Sequence, residues 1–378
     1  MSFFNLEKTS SASKARAGTL HTAHATIQTP VFMPVGTAGA VKAVSPRDVA
    51  DTGARLILGN TYHLYLRPGC DLVAQAGGLH RFASWPHAML TDSGGFQVWS
   101  LETLRKLTEK GVEFRSHLDG SKHMFTPESV MEAQRKLGAD IFMAFDECTP
   151  YPATKDVAVK SLELTQRWHE RAVTWLKDHP EMHGYPQYFF GIAQGGMHEE
   201  LRAKAIEHLI KLDLPGYALG GLSVGEPAEE MYSVADFSTN LMPTNKPRYV
   251  MGVGTPANLL ELISRGIDMF DCVLPTRAAR HGTVFTWNGP FHYKAARHAK
   301  ELDMPVDPDC SCYCCRNFSR AYLRHIFVSG EILALELATL HSLHFYQDLM
   351  RVARQQILDG TFEVWKDQLL RSWMKVEE

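Results

Sequence analysis

The chain has 378 residues, 45% apolar and 21% charged, with a net charge of −3 when the histidines are neutral. These values suit a globular chain long enough for one large domain with an appendage or for two ordinary domains. They exclude indiscriminate coating of nucleic acid, although a local basic surface stays open to phosphates, and no run approaches the roughly eighteen apolar residues of a membrane helix. The start, "MSFFNLEKTSSASKARAG", has no basic head leading into an apolar segment, so a cytoplasmic location is the default expectation.

In chain order, "ATIQTPVFMPVG" and "VKAVSP" read as short strands closed by proline or glycine. "ARLILGN" and "AMLTD" are strand-like, and "GVEFRSHLDGSKHMF" reads as a hairpin turning at Asp119-Gly120. From about residue 127 the rhythm changes. "TPESVMEAQRKLGAD" has a threonine cap, a proline at the first helical position and an acidic first turn. The apolar strand "IFMAFDE" precedes a long helix expected over about 156–178. "QYFFGIAQGG", "GYALGGLSVG", "RYVMGVG" and "IDMFD" are strands, separated by the helical runs "HEELRAKAIEHLIKLD", "PAEEMYSVADFSTNLM" and "TPANLLELISRG".

Alternating strands and helices with apolar strands imply a parallel sheet covered by helices. The polar groups of "FDEC", "IAQGG", "LGGLSVG", "MGVG" and "FDC" all fall at or just after strand C-termini. Many strands feeding one site is the habit of a (β/α)8 barrel, whereas an open sheet gathers its ligand at one switch point. The expected fold is therefore an α/β TIM barrel. Its main part, with N-terminal strands, is expected over residues 1–290, a metal-binding helical subdomain over 291–350, and a C-terminal helical segment over 351–378. No GxGxxG follows a first strand and no Walker A loop occurs, so nothing requires a nucleotide cofactor.

Four of the seven cysteines crowd into "CSCYCC", at 310, 312, 314 and 315. In a chain without a secretory start this points to metal. Cys310, Cys312 and Cys315 have C-x-C-x-x-C spacing, and three thiolates on a tight loop suit zinc but need one more ligand. The helix that follows offers His341 and His344 on one face, of which the earlier, His341, is preferred. Cys314 could replace Cys315 on a tighter loop. Four protein ligands leave no open position, so the metal would be structural. Cations also gather late in the chain, at Arg277, Arg280, Lys294, Arg297, Lys300, Arg316, Arg320 and Arg324, a pattern that charge spacing alone would equally produce on a solvated face.

The candidate chemical groups are Asp92 in "TDSGGFQ", Asp146 in "FDEC" and Asp271 in "FDC". Any one alone could be a cap or a turn residue. Three at strand ends, with Gln194 beside them, point to a polar pocket in an apolar barrel mouth.

"TDSGGFQVWSL", "FDECTP", "GIAQGG", "ALGGLSVGE", "VMGVGTPANLL", "MFDCVLPTRAARHGTVFT" and "CSCYCC…H", in this order, span essentially the whole chain. In these the sequence resembles the bacterial tRNA-guanine transglycosylases, also called queuine tRNA-ribosyltransferases, a zinc-containing (β/α)8 family. The resemblance implies exchange of guanine 34, in tRNAs with GUN anticodons (for Asp, Asn, His and Tyr), for preQ1 (7-aminomethyl-7-deazaguanine), a step towards queuosine. It implies Asp271 as nucleophile and Asp92 as general acid/base. It implies a base pocket of Asp92, Ser93, Gly94, Gly95, Phe96, Asp146, Gln194, Gly220, Gly221 and Met251. RNA contacts are implied at Gly252, Val253, Gly254, Thr255, Pro256, Ala257 and Asn258, and at Thr276, Arg277, Ala278, Ala279 and Arg280. It further implies one structural zinc per subunit on Cys310, Cys312, Cys315 and His341, and a homodimer. Phe96 or Met251 could lie against the base or belong to ordinary core. Val224 is of the bacterial type and narrows the space beside the 7-substituent, favouring preQ1 over bulky queuine; Cys148 is likewise bacterial in type.

Two other readings compete. A non-catalytic RNA-binding partner subunit would lack one of Asp92 and Asp271, and both are present. A metal-dependent barrel hydrolase would carry histidines at its strand ends, where this sequence has almost none.

Overall fold

A computed structural model of the chain describes residues 2–95 and 105–374. Its centre is eight parallel strands: β1 Val31–Pro34, β2 Leu56–Asn60, β3 Ala88–Asp92, β4 Ile141–Met143, β5 Tyr188–Ala193, β6 Gly216–Leu219, β7 Arg248–Val250 and β8 Met269–Cys272. Hydrogen bonding runs in the order β1-β8-β7-β6-β5-β4-β3-β2. The ends meet through a parallel bridge from Val35 to Leu58, where the Gly36 N–H donates to the Leu58 carbonyl at 2.7 Å. The (β/α)8 expectation is thus met.

Strand alternation divides the interior from the helical shell. Leu56 and Leu58 join Phe32, Met143, Phe190, Ile192 and Val250 in one buried cluster. Ile57 and Met89 turn outward into a second, with Val49, Leu64, Val73, Trp85 and Leu137. This is the period of two expected of a pleated strand buried on both faces.

The N-terminal end of the barrel is covered by a three-stranded antiparallel sheet of Phe4–Thr9, Arg16–His21 and Thr26–Thr29. Arg16 enters a buried fork with Asp268, Nε to Oδ1 at 2.8 Å and Nη2 to Oδ2 at 2.7 Å, and the Arg248 N–H donates to the same carboxylate at 2.7 Å. One buried ion pair therefore ties the cover to the starts of β7 and β8. Functional groups gather at the opposite, C-terminal end.

The helix expected over about 156–178 spans Lys155–Asp178. The predicted hairpin forms from Gly111–Arg115 and Lys122–Phe125, but its connection is a longer loop, not a two-residue turn. The strand expected in "VKAVSP" is absent. Ser45 instead accepts a hydrogen bond from the Asp48 N–H as N-cap of the helix Pro46–Asp51, with proline at its first turn. The β-favouring valines Val41 and Val44 suggest a strand, but a Ser-Pro pair is a stronger local instruction.

After β8 come the helix Leu274–Arg280, a small hairpin of Val284–Thr286 and Gly289–Phe291, the cysteine loop, and the 28-residue helix Ile332–Asp359. This last helix packs against both β1 and Leu274–Arg280. It runs unbroken across residue 350, the position expected to separate two segments. No helix among the described residues is long and apolar enough to cross a membrane.

Candidate active site

The C-terminal mouth of the barrel holds a cavity of about 540 Å³. Asp92 is the last residue of β3, Asp271 the last but one of β8, and Asp146 lies three beyond β4. Gln194, Gly220 and Met251 each follow a strand directly, after β5, β6 and β7. All line this cavity together with Ser93, Gly94, Gly95 and Gly221. Phe96 lies outside the described residues.

Each carboxylate has its own hydrogen-bond setting. The register of β2 on β3 places Asn60 opposite Asp92, and its amide donates to Asp92 Oδ2 at 2.5 Å. The N–H groups of Thr61 and Gly94 donate to Oδ1 at 3.0 and 3.1 Å. Burial nevertheless dominates and pushes the Asp92 carboxyl up to about 7. The Thr61 N–H opposes this, and the negative charge of Asp271 adds to it. Asp146 is pushed up to about 6 by burial, against a 2.7 Å hydrogen bond from Gln194 Nε2. Asp271 Oδ1 accepts from the Tyr249 hydroxyl at 2.5 Å and the Gly252 N–H at 2.8 Å. Burial raises this carboxyl too, while those two donors favour its ionised form. The site therefore has one carboxyl poised to carry a proton near neutrality and another held by two donors with an oxygen to spare. Groups separated in this way can divide acid/base and nucleophilic roles.

Tyr249, Asn60, His63 and Arg202 were not selected from the sequence. Tyr249 is the middle residue of β7 and its hydroxyl reaches Asp271, and Asn60 closes the apolar run "LIL" as a helix cap for Thr61–Leu66. Both residues were readable as parts of strands, but their partners were not. His63 lines the cavity from the first turn of that helix. Arg202 falls on the apolar face of Glu199–Lys211 among Leu201, Ala205, Ile206 and Leu209, where a charged residue is anomalous.

The two expected RNA segments flank Asp271. Gly252 is exposed, with positive φ, and its N–H orients Asp271. Thr255 and Asn258 form a reciprocal capping box at the start of Pro256–Ser264, Val253, Gly254 and Pro256 are buried, and Ala257 is half-buried. In the helix Leu274–Arg280, Arg277 is exposed and lines the cavity, Ala278 and Arg280 are half-buried, and Thr276 and Ala279 are buried. Part of the later cationic tract is engaged internally: Arg320 donates to the Pro305 carbonyl, Arg324 to that of Ala295 and Lys294 to that of His281.

Sγ atoms of Cys310, Cys312 and Cys315 and a ring nitrogen of His341 lie within 4.8 Å of one another. His341 Nδ1 is 3.5 Å from Cys312 Sγ and 3.3 Å from Cys315 Sγ. Its Nε2 faces the Phe285 carbonyl at 3.0 Å, which places the proton there and leaves Nδ1 free as a ligand. The donor set fits a closed four-ligand metal site. Cys314, the possible substitute, is buried outside the cluster, and His344 pairs with Asp348 at 3.5 Å. A second group, His24, His80 and Asp140, does not fit a metal. The two rings stack with centroids 3.7 Å apart and 13° between planes, so an ion in the plane of one ring lies outside that of the other.

A family model described as queuine tRNA-ribosyltransferase matches residues 10–375. The protein called queuine tRNA-ribosyltransferase in Ruminiclostridium cellulolyticum is 55% identical over 365 residues, 97% of this chain and 96% of its own. That of Caldanaerobacter subterraneus is 53% identical over 370 residues, 98% and 97% of the two chains. That of Desulforamulus reducens is 54% identical over 366 residues, 97% of each. With a barrel that gathers three carboxylates at its mouth and a cysteine-histidine cluster beside it, the chain belongs to the queuine tRNA-ribosyltransferase family.

Proposed function

We propose that the protein exchanges guanine 34 of GUN-anticodon tRNAs for preQ1 by double displacement. The observation that carries this reading is the sharing of one cavity by Asp92, Asp146 and Asp271, each in a different hydrogen-bond setting. Asp271 keeps one oxygen free of the Tyr249 and Gly252 donors. That oxygen bonds to ribose C1′ as the C1′–N9 bond breaks, and the bond's electron pair leaves with guanine. Protonated Asp92 gives its proton to the departing base. In the second half, N9 of preQ1 bonds to C1′, its proton passes to Asp92, and Asp271 leaves as a carboxylate. One glycosidic bond replaces another, and the ribose never leaves the RNA, so no nucleotide energy source is called for.

Asp146 accepts the adjacent N1–H and N2–H of the base, and the N–H of Gly221 donates to O6. The amide of Gln194 has two hydrogens, so it can serve O6 while keeping Asp146. An adenine edge would leave these buried groups unpaired. Met251 lies against the base, and Val224, which lines the cavity, limits the 7-substituent to the size of preQ1. Base extrusion costs a few kcal/mol, least in an unpaired loop, and the segments 252–258 and 276–280 receive the flanking RNA. Cys310, Cys312, Cys315 and His341 hold zinc, which when bound cross-links the loop to the long helix and takes no part in the exchange. A homodimer and a cytoplasmic location complete the reading, with residues 291–350 as the metal subdomain.

Incorporation of labelled guanine into a GUN-anticodon tRNA tests it. Asp271→Asn should lower exchange on the order of a thousandfold or more and remove the enzyme–RNA adduct trapped on a denaturing gel. Wild-type exchange in a folded Asp271→Asn protein would overturn the mechanism.

A further inference from the structure

The helix Glu199–Lys211 buries a cation that the exchange chemistry leaves unexplained. Arg202 is 0% exposed. Its Nε donates to the Gly196 carbonyl at 2.9 Å, and its Nη1 to the carbonyls of Ala193 at 2.6 Å and Gly220 at 2.8 Å. Its Nη2 has no partner among the described residues. Burial lowers its pKa to about 10, so it stays cationic at neutral pH. Burying a guanidinium is costly unless its hydrogens are satisfied, and here backbone carbonyls take the place of a counter-ion.

The position of those carbonyls matters. Ala193 ends β5 and Gly220 follows β6, and the next residues, Gln194 and Gly221, line the cavity. In a trans peptide the C=O and the following N–H point in opposite directions. Turning the Gly220 carbonyl onto Arg202 therefore turns the Gly221 N–H away from it, where it meets the sulfur of Cys148, another residue of the cavity wall. Sulfur is a weak acceptor, readily replaced by a carbonyl oxygen. A cation bonded to the C=O end of a peptide also polarises its N–H end and makes it a stronger donor. The two glycines pack directly on the Gln194 amide: a Cβ on Gly220 would stand 2.6 Å from Gln194 Nε2, and one on Gly221 2.6 Å from Gln194 Oε1.

We propose that Arg202 is a positioning residue that gives the cavity its preference for a 6-oxopurine, by aiming and polarising the Gly221 N–H without touching the base. This rests on the base-binding reading above.

Calorimetric titration of the free protein with guanine and with 2-aminopurine, which lacks both the oxygen and the N1–H, tests it without tRNA, each base being compared between variant and wild type. Arg202→Met should weaken guanine about tenfold, the worth of one such hydrogen bond, and 2-aminopurine less than about twofold. Arg202→Lys keeps the charge but not the fork and should weaken guanine about threefold. The KM for tRNA should move less than about twofold in either variant. Equal weakening of both bases, or unchanged guanine affinity, would overturn the proposal, and Arg202→Lys decides it alone if Arg202→Met does not fold. A wild-type protein that fails to bind guanine would instead overturn the base-binding reading, and this proposal with it.

Discussion

Asp92 shows how a residue of ordinary chemistry is tuned by what surrounds it. Its carboxyl is raised to about 7 and that of Asp146 to about 6, from a starting value of 3.8, with burial as the largest cause in both. The folded protein therefore holds protons between about pH 4 and 7 that the unfolded chain has released. The sign follows: each group makes stability fall as pH rises through this window, by up to about 1.4 kcal/mol per pH unit. Asp92→Asn removes one of these titrations. Denaturant unfolding of the free protein from pH 4 to 8 should show a shallower decline in this variant than in wild type; parallel profiles would count against the raised carboxyl. The three aspartates were legible because acids at strand ends are conspicuous. Tyr249 and Asn60 were not, since a tyrosine in an apolar strand and an asparagine at a helix start are unremarkable until the register sets them beside Asp271 and Asp92.

Among the elements, helix ends were the easiest to read and the short strand "VKAVSP" was misread. Thr126 shows why caps are legible: the whole device lies within four residues. Its side chain accepts from the Ser129 N–H while the Ser129 hydroxyl accepts from the Thr126 N–H. Those four residues are enough to mark the start of the helix Pro127–Leu137, but not its purpose. That helix carries Gln134, which accepts from Thr91 at 3.0 Å and donates to the Met143 carbonyl at 2.9 Å, bracing β3 and β4 just below Asp92 and Asp146. Thr126→Ala should cost about 1 kcal/mol in urea unfolding, with base binding unchanged because Gln134 stays packed. A loss above about 3 kcal/mol would show that the cap does more than end a helix.

For the whole molecule, the cysteine loop and the long helix form a staple behind the two segments proposed to receive RNA, 252–258 and 276–280. Ile332–Asp359 carries His341 of the metal cluster and Tyr346, whose hydroxyl donates to the Gly254 carbonyl at 3.1 Å. Tyr293, in the same module, donates to the Ala279 carbonyl at 2.6 Å, behind Arg277 and Arg280. On the proposal that zinc fills the cluster, Cys312→Ser should lower Tm by several degrees, about 1–3 kcal/mol for a chain of this size. It should weaken tRNA binding more than guanine binding, as read by filter retention and calorimetry. Equal loss of both would place the metal nearer the base pocket than the fold does. By itself the sequence determined the barrel's order of elements, its strand-end acids and the cysteine tract of a candidate metal site, because periodicity, caps and ligand spacing are local and repeat along the chain. Only the tertiary structure decided which donors hold Asp92 and Asp271, that Cys315 and His341 complete the cluster, and that Arg202 lies behind Gly221. Those are contacts between distant segments, set by barrel closure and strand register, which no local pattern encodes.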